Sequence, residues 1–206
     1  MTDRNSPTPD LPLPDADDRA RRDERLMRLA MRQADRAAEL GEVPIGAVVV
    51  CDGEVVAAAH NRRELDRDPS AHAEFLAMLE AARALGRWRL TGCTVYVTCE
   101  PCLMCAGLMV NARIDRCVYG APDPKGGALG TLYDVSHDAR LNHEFEVTPG
   151  VLGQECADQL RAFFSALRER RRRERAAGLS RGGATPASPA TPDAPAGPGG
   201  ASSTGR

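Results

Sequence analysis

The sequence contains little lysine, few aromatic residues and no long apolar segment near its start. Lys125 is the only lysine among 27 basic residues, and aromatic side chains make up 4% of the chain. Residues 1–20 are rich in proline and aspartate and lack the apolar stretch of a signal peptide or a membrane span. We therefore expect neither secretion nor membrane insertion. The net charge of −2 gives no overall sign of nucleic-acid binding either.

The cysteine content indicates a reduced, cytoplasmic protein. There are seven cysteines, an odd number, in a chain without a recognisable secretory segment. A disulfide framework is therefore not expected. Clustered cysteines in that setting indicate metal binding or catalysis instead.

The two ends of the chain differ in composition from its middle. We expect residues 1–22 to be a disordered extension and residues 176–206, nearly all small residues and proline, to be a disordered low-complexity tail. Hydrophobic residues make up 42% of the 206 residues, which supports one folded domain at residues 23–175. Seven arginines and two glutamates lie between residues 161 and 175. Such a run is either a solvated helix face or an RNA-facing patch.

Hydrophobic periodicity predicts an alternation of helices and strands. Helical spacing predicts a helix over 24–40, and two β-branched runs around an Asp-Gly turn predict a hairpin over 45–59. The further elements predicted are a helix at 72–85 capped by Ser70, a strand at 94–98, a helix at 101–112, a strand at 117–119, a loop at 120–131, a strand at 146–151 and a helix at 154–175. This order predicts an α/β fold, a three-layer α/β/α sandwich with a mixed central sheet.

Two short motifs offer a set of metal ligands. One contains His72 and Glu74, and the other contains Cys102 and Cys105 in a P-C-x-x-C pattern. One histidine and two cysteines suit a tetrahedral zinc site with one position left open. Both motifs fall at predicted helix starts, where the helix dipole and free N–H groups stabilise thiolates. Zinc lowers the pKa of a bound water to about 7, and Glu74 can take its proton and return it to the substrate.

Two other metal sites are compatible with these cysteines. Cys99, Cys102 and Cys105 form a C-x-x-C-x-x-C run, which suggests an iron–sulfur cluster but lacks the further Cys and Pro of the ferredoxin pattern. Alternatively, Cys99 or Cys117 could complete a four-ligand structural zinc site. The position of Cys99 at the end of an apolar strand is more typical of a small buried hydrophobe.

The H-x-E and P-C-x-x-C motifs are those of the zinc-dependent base deaminases. Together with further segments, they make the chain resemble the bacterial tRNA-specific adenosine deaminases over about residues 30–168. The matching segments are 41–48, 61–62, 72–74, 96–98, 100–102, 104–107, 120–121, 123, 134–135, 142–143, 150–152 and 163–164.

This resemblance implies a cytidine-deaminase-like fold and a particular reaction. It assigns His72, Cys102 and Cys105 as ligands of one zinc ion per subunit, with Glu74 as the proton shuttle. The reaction implied is hydrolytic deamination of adenosine to inosine at the wobble position of a tRNA, with an arginine tRNA as the expected substrate.

The resemblance also implies substrate contacts at Asn61, Asp123, Asn142 and Phe164. Without it, Asn61 and Asp123 are equally well explained as turn residues, and Asn142 and Phe164 as surface or packing residues.

The partners implied are the anticodon loop of tRNA and a second copy of the chain in a homodimer. Lys125 and the arginines at 168–175 are expected to contact phosphates, which would make binding sensitive to salt. The sequence departs from the family at Cys99, where relatives carry an aliphatic residue. It also departs at Pro122 and Pro124, which stiffen their loop.

Two alternative functions remain. The same zinc chemistry serves deaminases of a free base or nucleotide, such as guanine, cytosine or a riboflavin precursor. A non-catalytic zinc- and RNA-binding subunit is a further alternative, but the presence of Glu74 argues against it.

Overall fold

The computed structural model describes residues 16–178. Their helices and strands are, in chain order, α1 (Ala16–Glu39), β1 (Gly46–Cys51), β2 (Glu54–His60), α2 (Arg63–Asp66), α3 (Ala73–Ala84), β3 (Cys93–Cys99), α4 (Leu103–Ala112), β4 (Arg116–Ala121), β5 (Glu146–Thr148) and α5 (Gly153–Ala176). The chain divides into two compact units. The first ends at Arg168, and the second begins at Glu169, within α5. Among the described residues, no helix is both long and apolar enough to cross a membrane.

The five strands form one mixed sheet in the order β2-β1-β3-β4-β5. Strand β1 is antiparallel to both β2 and β3, whereas β3, β4 and β5 are parallel. Asp52 and Gly53 both have positive φ, 48° and 90°, in the tight turn between β1 and β2. The predicted hairpin and the predicted mixed sheet are therefore confirmed.

Helices cover both faces of this sheet, as predicted for a three-layer α/β/α sandwich. On one face, Met27 and Ala30 of α1 and Cys156 of α5 pack with alternate residues of the central strands, such as Val48. On the other face, α3 and α4 pack against the side chains that point the opposite way, such as Val49. Burial on both faces explains why the central strands are continuous apolar runs.

Helix α1 begins earlier than the sequence suggested. Residues 16–22 are helical, so the expectation of disorder for residues 1–22 is wrong for this part, and residues 1–15 lie outside the described residues. The acidic residues Asp17 and Asp18 in the first turn favour helix there through the helix dipole. Arg19 forms an ion pair with Glu146 at the start of β5. This contact holds the first turns of α1 against the sheet, although they precede the residues 24–40 whose apolar spacing predicted the helix.

The opposite end also differs slightly from the prediction. Helix α5 continues to Ala176, and the expected disordered tail lies outside the described residues from residue 179 onward. The domain limits of 23–175 therefore stay a prediction, apart from the earlier start of α1.

Candidate active site

The candidate site lies where α3 and α4 begin. His72 is the N-cap residue of α3 and Cys102 that of α4; both are extended, and neither side chain caps its own helix. Their side chains are therefore free to face each other. Ser70 does not cap α3, contrary to the prediction, because its amide and hydroxyl both donate to Asp68 Oδ1 at 2.7 Å.

Three candidate ligand atoms converge between the two helix starts. His72 Nδ1 lies 3.6 Å from Cys102 Sγ and 3.7 Å from Cys105 Sγ. All three atoms lie within 4.8 Å of one another. A tetrahedral zinc site with ordinary bond lengths would separate such atoms by about 3.5–3.8 Å. The arrangement can hold a metal ion, and its donor set suits zinc.

The three groups influence one another's protonation strongly. Hydrogen bonding to Cys105 and to His72 lowers the pKa of the Cys102 thiol to about 3. The same contact with Cys102, together with burial, raises the pKa of Cys105. The hydrogen bond with Cys102 also raises the pKa of His72. The Cys102 thiol therefore loses its proton more readily than the Cys105 thiol.

Glu74 lies in the first turn of α3, beside this cluster. Its side chain is buried, and its Oε2 has no hydrogen-bond partner among the described residues. Burial raises the pKa of Glu74, while the nearby His72 opposes the shift. A buried, unpartnered carboxyl oxygen beside three metal-type ligands is suited to exchange protons with a small molecule held there.

Cys99 and Cys117 do not join the cluster, which within residues 16–178 consists of one histidine and two cysteines. Burial raises the pKa of Cys99 to about 12 and also raises that of Cys117. Their thiols are therefore neutral, as in buried packing residues. This arrangement favours the three-ligand site over both alternatives, the iron–sulfur cluster and the structural zinc site with a fourth cysteine ligand.

Asn61 lies on the strand side of the site, directly after β2. It is buried, and its Nδ2 donates to Glu42 Oε2 at 3.0 Å. The next residue, Arg62, donates its backbone N–H to Ala71, which precedes the histidine of the cluster. This bond gives the NH₂ group of the Asn61 side chain a partner within the protein, which supports the structural role of Asn61 as a turn residue. The binding role stays a prediction.

Asp123 and Lys125 lie in the loop that follows β4. The backbone amide of Lys125 donates to Asp123 Oδ1 at 2.9 Å, a local turn contact, and the Lys125 side chain is exposed. The loop is held to the segment of Cys102 by an antiparallel bridge between Cys102 and Gly127. The loop that carries Asp123 and Lys125 is thus held beside Cys102, and the binding roles of the two residues stay predictions.

Among the described residues, no hydrogen bond or ring contact links Asn142 or Phe164 to the cluster. Asn142 is exposed, its carbonyl accepts a hydrogen bond from Arg113, and it lines a groove on the outer side of α3 and α4. Phe164 is 40% exposed on α5 and contacts Phe163 edge to face. The binding roles of Asn142 and Phe164 stay predictions.

Sequence reasoning assigned no role to Glu100, which the structure shows to be buried immediately before Pro101 and Cys102. Its carboxyl group accepts hydrogen bonds from the loop that carries Asp123. Its signals in the sequence were its position next to the cysteine motif and its place in the matching segment 100–102.

Comparison with known proteins agrees with this geometry. A family model described as MafB19-like deaminase matches residues 21–168. The fold, the cluster and this match together define a deaminase.

Individual proteins with similar sequences show which deaminases this chain resembles. A tRNA-specific adenosine deaminase of Bacillus subtilis is 52% identical over 153 residues, covering 74% of this chain and 95% of that protein. One of Haemophilus influenzae is 44% identical over 155 residues, covering 75% of this chain and 90% of that protein. The chain belongs to the family of the tRNA-specific adenosine deaminases.

Solved structures give the same fold. One from a study of A-to-I editing by tRNA:A34 deaminases has a TM-score of 0.64 and 44% identity, and the match covers 66% of this chain and 99% of that one. A guanine deaminase of Nitrosomonas europaea has a TM-score of 0.58 and 24% identity, covering 68% of this chain and 83% of that one. The second likeness concerns the fold alone.

Proposed function

We propose that this protein deaminates adenosine to inosine at the wobble position, position 34, of a tRNA, with an arginine tRNA as its substrate. The observation that carries the proposal is the convergence of His72, Cys102 and Cys105 beside the buried carboxyl group of Glu74. Membership of the tRNA-specific adenosine deaminases supplies the substrate class. Such a substrate implies a cytoplasmic protein.

Zinc is the metal that fits the ligand set, one ion per subunit. His72, Cys102 and Cys105 would hold it, and their separations suit tetrahedral coordination with one position left for a non-protein ligand. When bound, zinc supplies the acidity that makes a water molecule nucleophilic near neutral pH. Its positive charge would also keep both cysteines deprotonated.

Glu74 would move the protons of the reaction. Its Oε2 accepts a proton from the attacking water and returns it to the adenine ring as the new C6–O bond forms. Glu74 then moves the proton of the new C6 hydroxyl to the amino group, the C6–N bond breaks, and ammonia leaves. The balance is adenosine plus water giving inosine plus ammonia. Burial of Glu74 excludes bulk water from this transfer, which keeps the proton with the reacting groups.

RNA recognition would follow from the physics of single strands. The target base would leave the anticodon loop, at a cost of a few kcal/mol in lost stacking, and bind beside Glu74. Asn61 and Asp123 would contact the flipped nucleotide, and Phe164 would lie near the RNA. Lys125 and the arginines at 168–175 would contact phosphates. The arginines at 170–175 are exposed and partly paired with Glu169 and Glu174.

A homodimer would bring Asn142 to the RNA. The outer side of α3 and α4 exposes large apolar side chains, among them Trp88 at 61% and Leu103 at 53%. A groove of about 440 Å³ on this side is lined by Trp88, Leu108 and Asn142, among others. Covering these apolar side chains with a second copy would remove them from water and place Asn142 beside the partner's site.

The decisive experiment is an inosine assay on zinc-loaded protein. An arginine tRNA with adenosine at position 34 is incubated with the protein, and the position is read by sequencing of the reverse transcript. Glu74→Gln should abolish inosine formation, whereas Glu80→Gln, an exposed position on the same helix, should leave it intact.

A parallel panel of free guanine, cytosine and adenosine separates the alternatives. Ammonia release from a free base, with the tRNA unchanged, would refute the RNA substrate and keep the zinc chemistry. Binding of tRNA and zinc without any turnover would instead favour a non-catalytic subunit.

A further inference from the structure

Glu100, the residue that follows β3, is buried without taking part in the chemistry assigned above. Its side chain is 3% exposed. A carboxyl group in such a place costs free energy unless its oxygens accept hydrogen bonds. The side-chain bonds that Glu100 accepts come from a single loop, residues 123–131.

Four donors of this loop converge on the two carboxyl oxygens. Oε2 accepts from the amide of Asp123 at 3.0 Å and from the hydroxyl of Thr131. Oε1 accepts from the amides of Leu129 and Thr131, both at 3.1 Å. We call this set of hydrogen bonds, from Asp123, Leu129 and Thr131 to Glu100, the Glu100 clasp.

The loop also approaches Glu100 more closely than a side chain would permit. A Cβ atom at Gly127 would lie 2.3 Å from Glu100 Oε2 and 2.7 Å from the carbonyl oxygen of Asp123. Any residue other than glycine at 127 would therefore force the loop away from Glu100.

The same loop is tied to the metal-ligand segment through the backbone. Gly127 pairs with Cys102 in an antiparallel bridge, and the amide of Ala128 donates to the carbonyl of Pro101 at 2.9 Å. Glu100 precedes Pro101 directly, so the clasp and these backbone bonds connect the same two segments. A shift of the loop relative to the ligands would break both sets of bonds.

We propose that Glu100 is a positioning residue: through the clasp it holds Asp123, and with it the loop that contacts RNA, in register with the metal ligands. It acts on the binding of tRNA rather than on the chemical step. This inference rests on the proposed function, because it takes the tRNA as substrate and Asp123 as one of its contacts.

Glu100→Gln tests the proposal with the smallest change of shape. A glutamine can keep its oxygen towards the amides of Leu129 and Thr131 and turn its NH₂ group towards the Thr131 hydroxyl, which can accept. The Asp123 amide then faces a donor and loses its acceptor. The substitution should therefore release Asp123 selectively.

Amide hydrogen exchange measured by NMR reports this release without any substrate. In Glu100→Gln the exchange of the Asp123 amide should accelerate about tenfold or more, while the amides of Leu129 and Thr131 stay protected. Thr131→Val is the matched control, because it removes one bond to the same oxygen and leaves the Asp123 amide paired. Glu54→Gln, at an exposed position of β2, controls for the lost charge.

Steady-state kinetics on tRNA give the functional readout. We expect Glu100→Gln to raise KM about tenfold, the effect of one lost hydrogen bond, with kcat within about twofold and the zinc content still one per chain. Thr131→Val should raise KM less, and Glu54→Gln should not change it.

Two results would overturn the proposal. An unchanged KM, with Asp123 exchanging as before, would mean that the clasp only fills the core. A fall in kcat together with lost zinc would mean that Glu100 supports the ligands instead. Absence of inosine with the unaltered protein would refute the proposed function, and the exchange pattern would then still decide whether Glu100 holds Asp123.

Discussion

Replacement of Asp23 by alanine would leave the guanidinium group of Arg116 buried without its carboxylate partner. Asp23, on α1, accepts two hydrogen bonds from Arg116 on β4, at 2.6 and 2.9 Å, and one from the hydroxyl of Tyr96 on β3, at 2.7 Å. Asp23 and Arg116 are 4% and 8% exposed. The ion pair therefore joins the first helix to the two central parallel strands in a place that water hardly reaches.

The expected cost follows from what remains after the substitution. Removing one partner of a buried ion pair typically costs about 3–5 kcal/mol, because the other charge stays buried and unpaired. Arg116 would keep its bond to Thr148 Oγ1 at 2.7 Å and a contact with Glu146 at 3.4 Å. We therefore expect the lower end of that range, about 3 kcal/mol of the free energy of unfolding. With a slope of about 2 kcal/mol/M in urea, the midpoint should fall by about 1.5 M.

The assay is urea unfolding at saturating zinc, since metal binding alone changes the apparent stability. Tyr96→Phe, which removes only the hydroxyl bond to Asp23, should cost about 1.5 kcal/mol. Glu39→Ala, at an exposed position near the end of α1, should stay within about 0.5 kcal/mol. A cost below about 1 kcal/mol for Asp23→Ala would refute the argument, since the buried charge would then be finding another partner or water.

Three further predictions concern the thiols, the RNA contacts and the dimer. Because its pKa is raised to about 12, Cys99 should react with iodoacetamide at pH 8 about 1000-fold more slowly in the folded protein than in urea, as followed by mass spectrometry; equal rates would contradict its burial. Affinity for tRNA should fall steeply with salt, and Lys125→Ala should reduce the slope of log K against log salt concentration by about 0.7–0.9; an unchanged slope would exclude a phosphate contact there. Trp88→Glu should convert a dimer to a monomer in sedimentation experiments, because it places a charge on the exposed apolar side of α3 and α4; a wild-type protein that sediments as a monomer would refute the dimer itself.

The sequence by itself determined the order of most elements and the three candidate metal ligands that the structure brings together. Apolar runs and helical periodicity reflect which faces are buried, so they located the sheet, the hairpin and helices α3, α4 and α5 to within a few residues. His72, Cys102 and Cys105 were recognisable because each ligand sits at or near the start of a helix, where a short motif specifies both the residue type and the local backbone. Position 74 was recognisable for the same reason.

Only the tertiary structure decided the features that depend on contacts between distant residues. The ion pair of Arg19 with Glu146 joins residues too far apart in sequence to leave any local pattern, so the early start of α1 was missed. The capping role given to Ser70 failed because Asp68, two residues earlier, takes its hydroxyl. Glu100 had no visible role until the fold placed four donors of a later loop around it. A short motif specifies residue types and the local backbone. A hydrogen bond between distant residues depends instead on how all the intervening helices and strands pack.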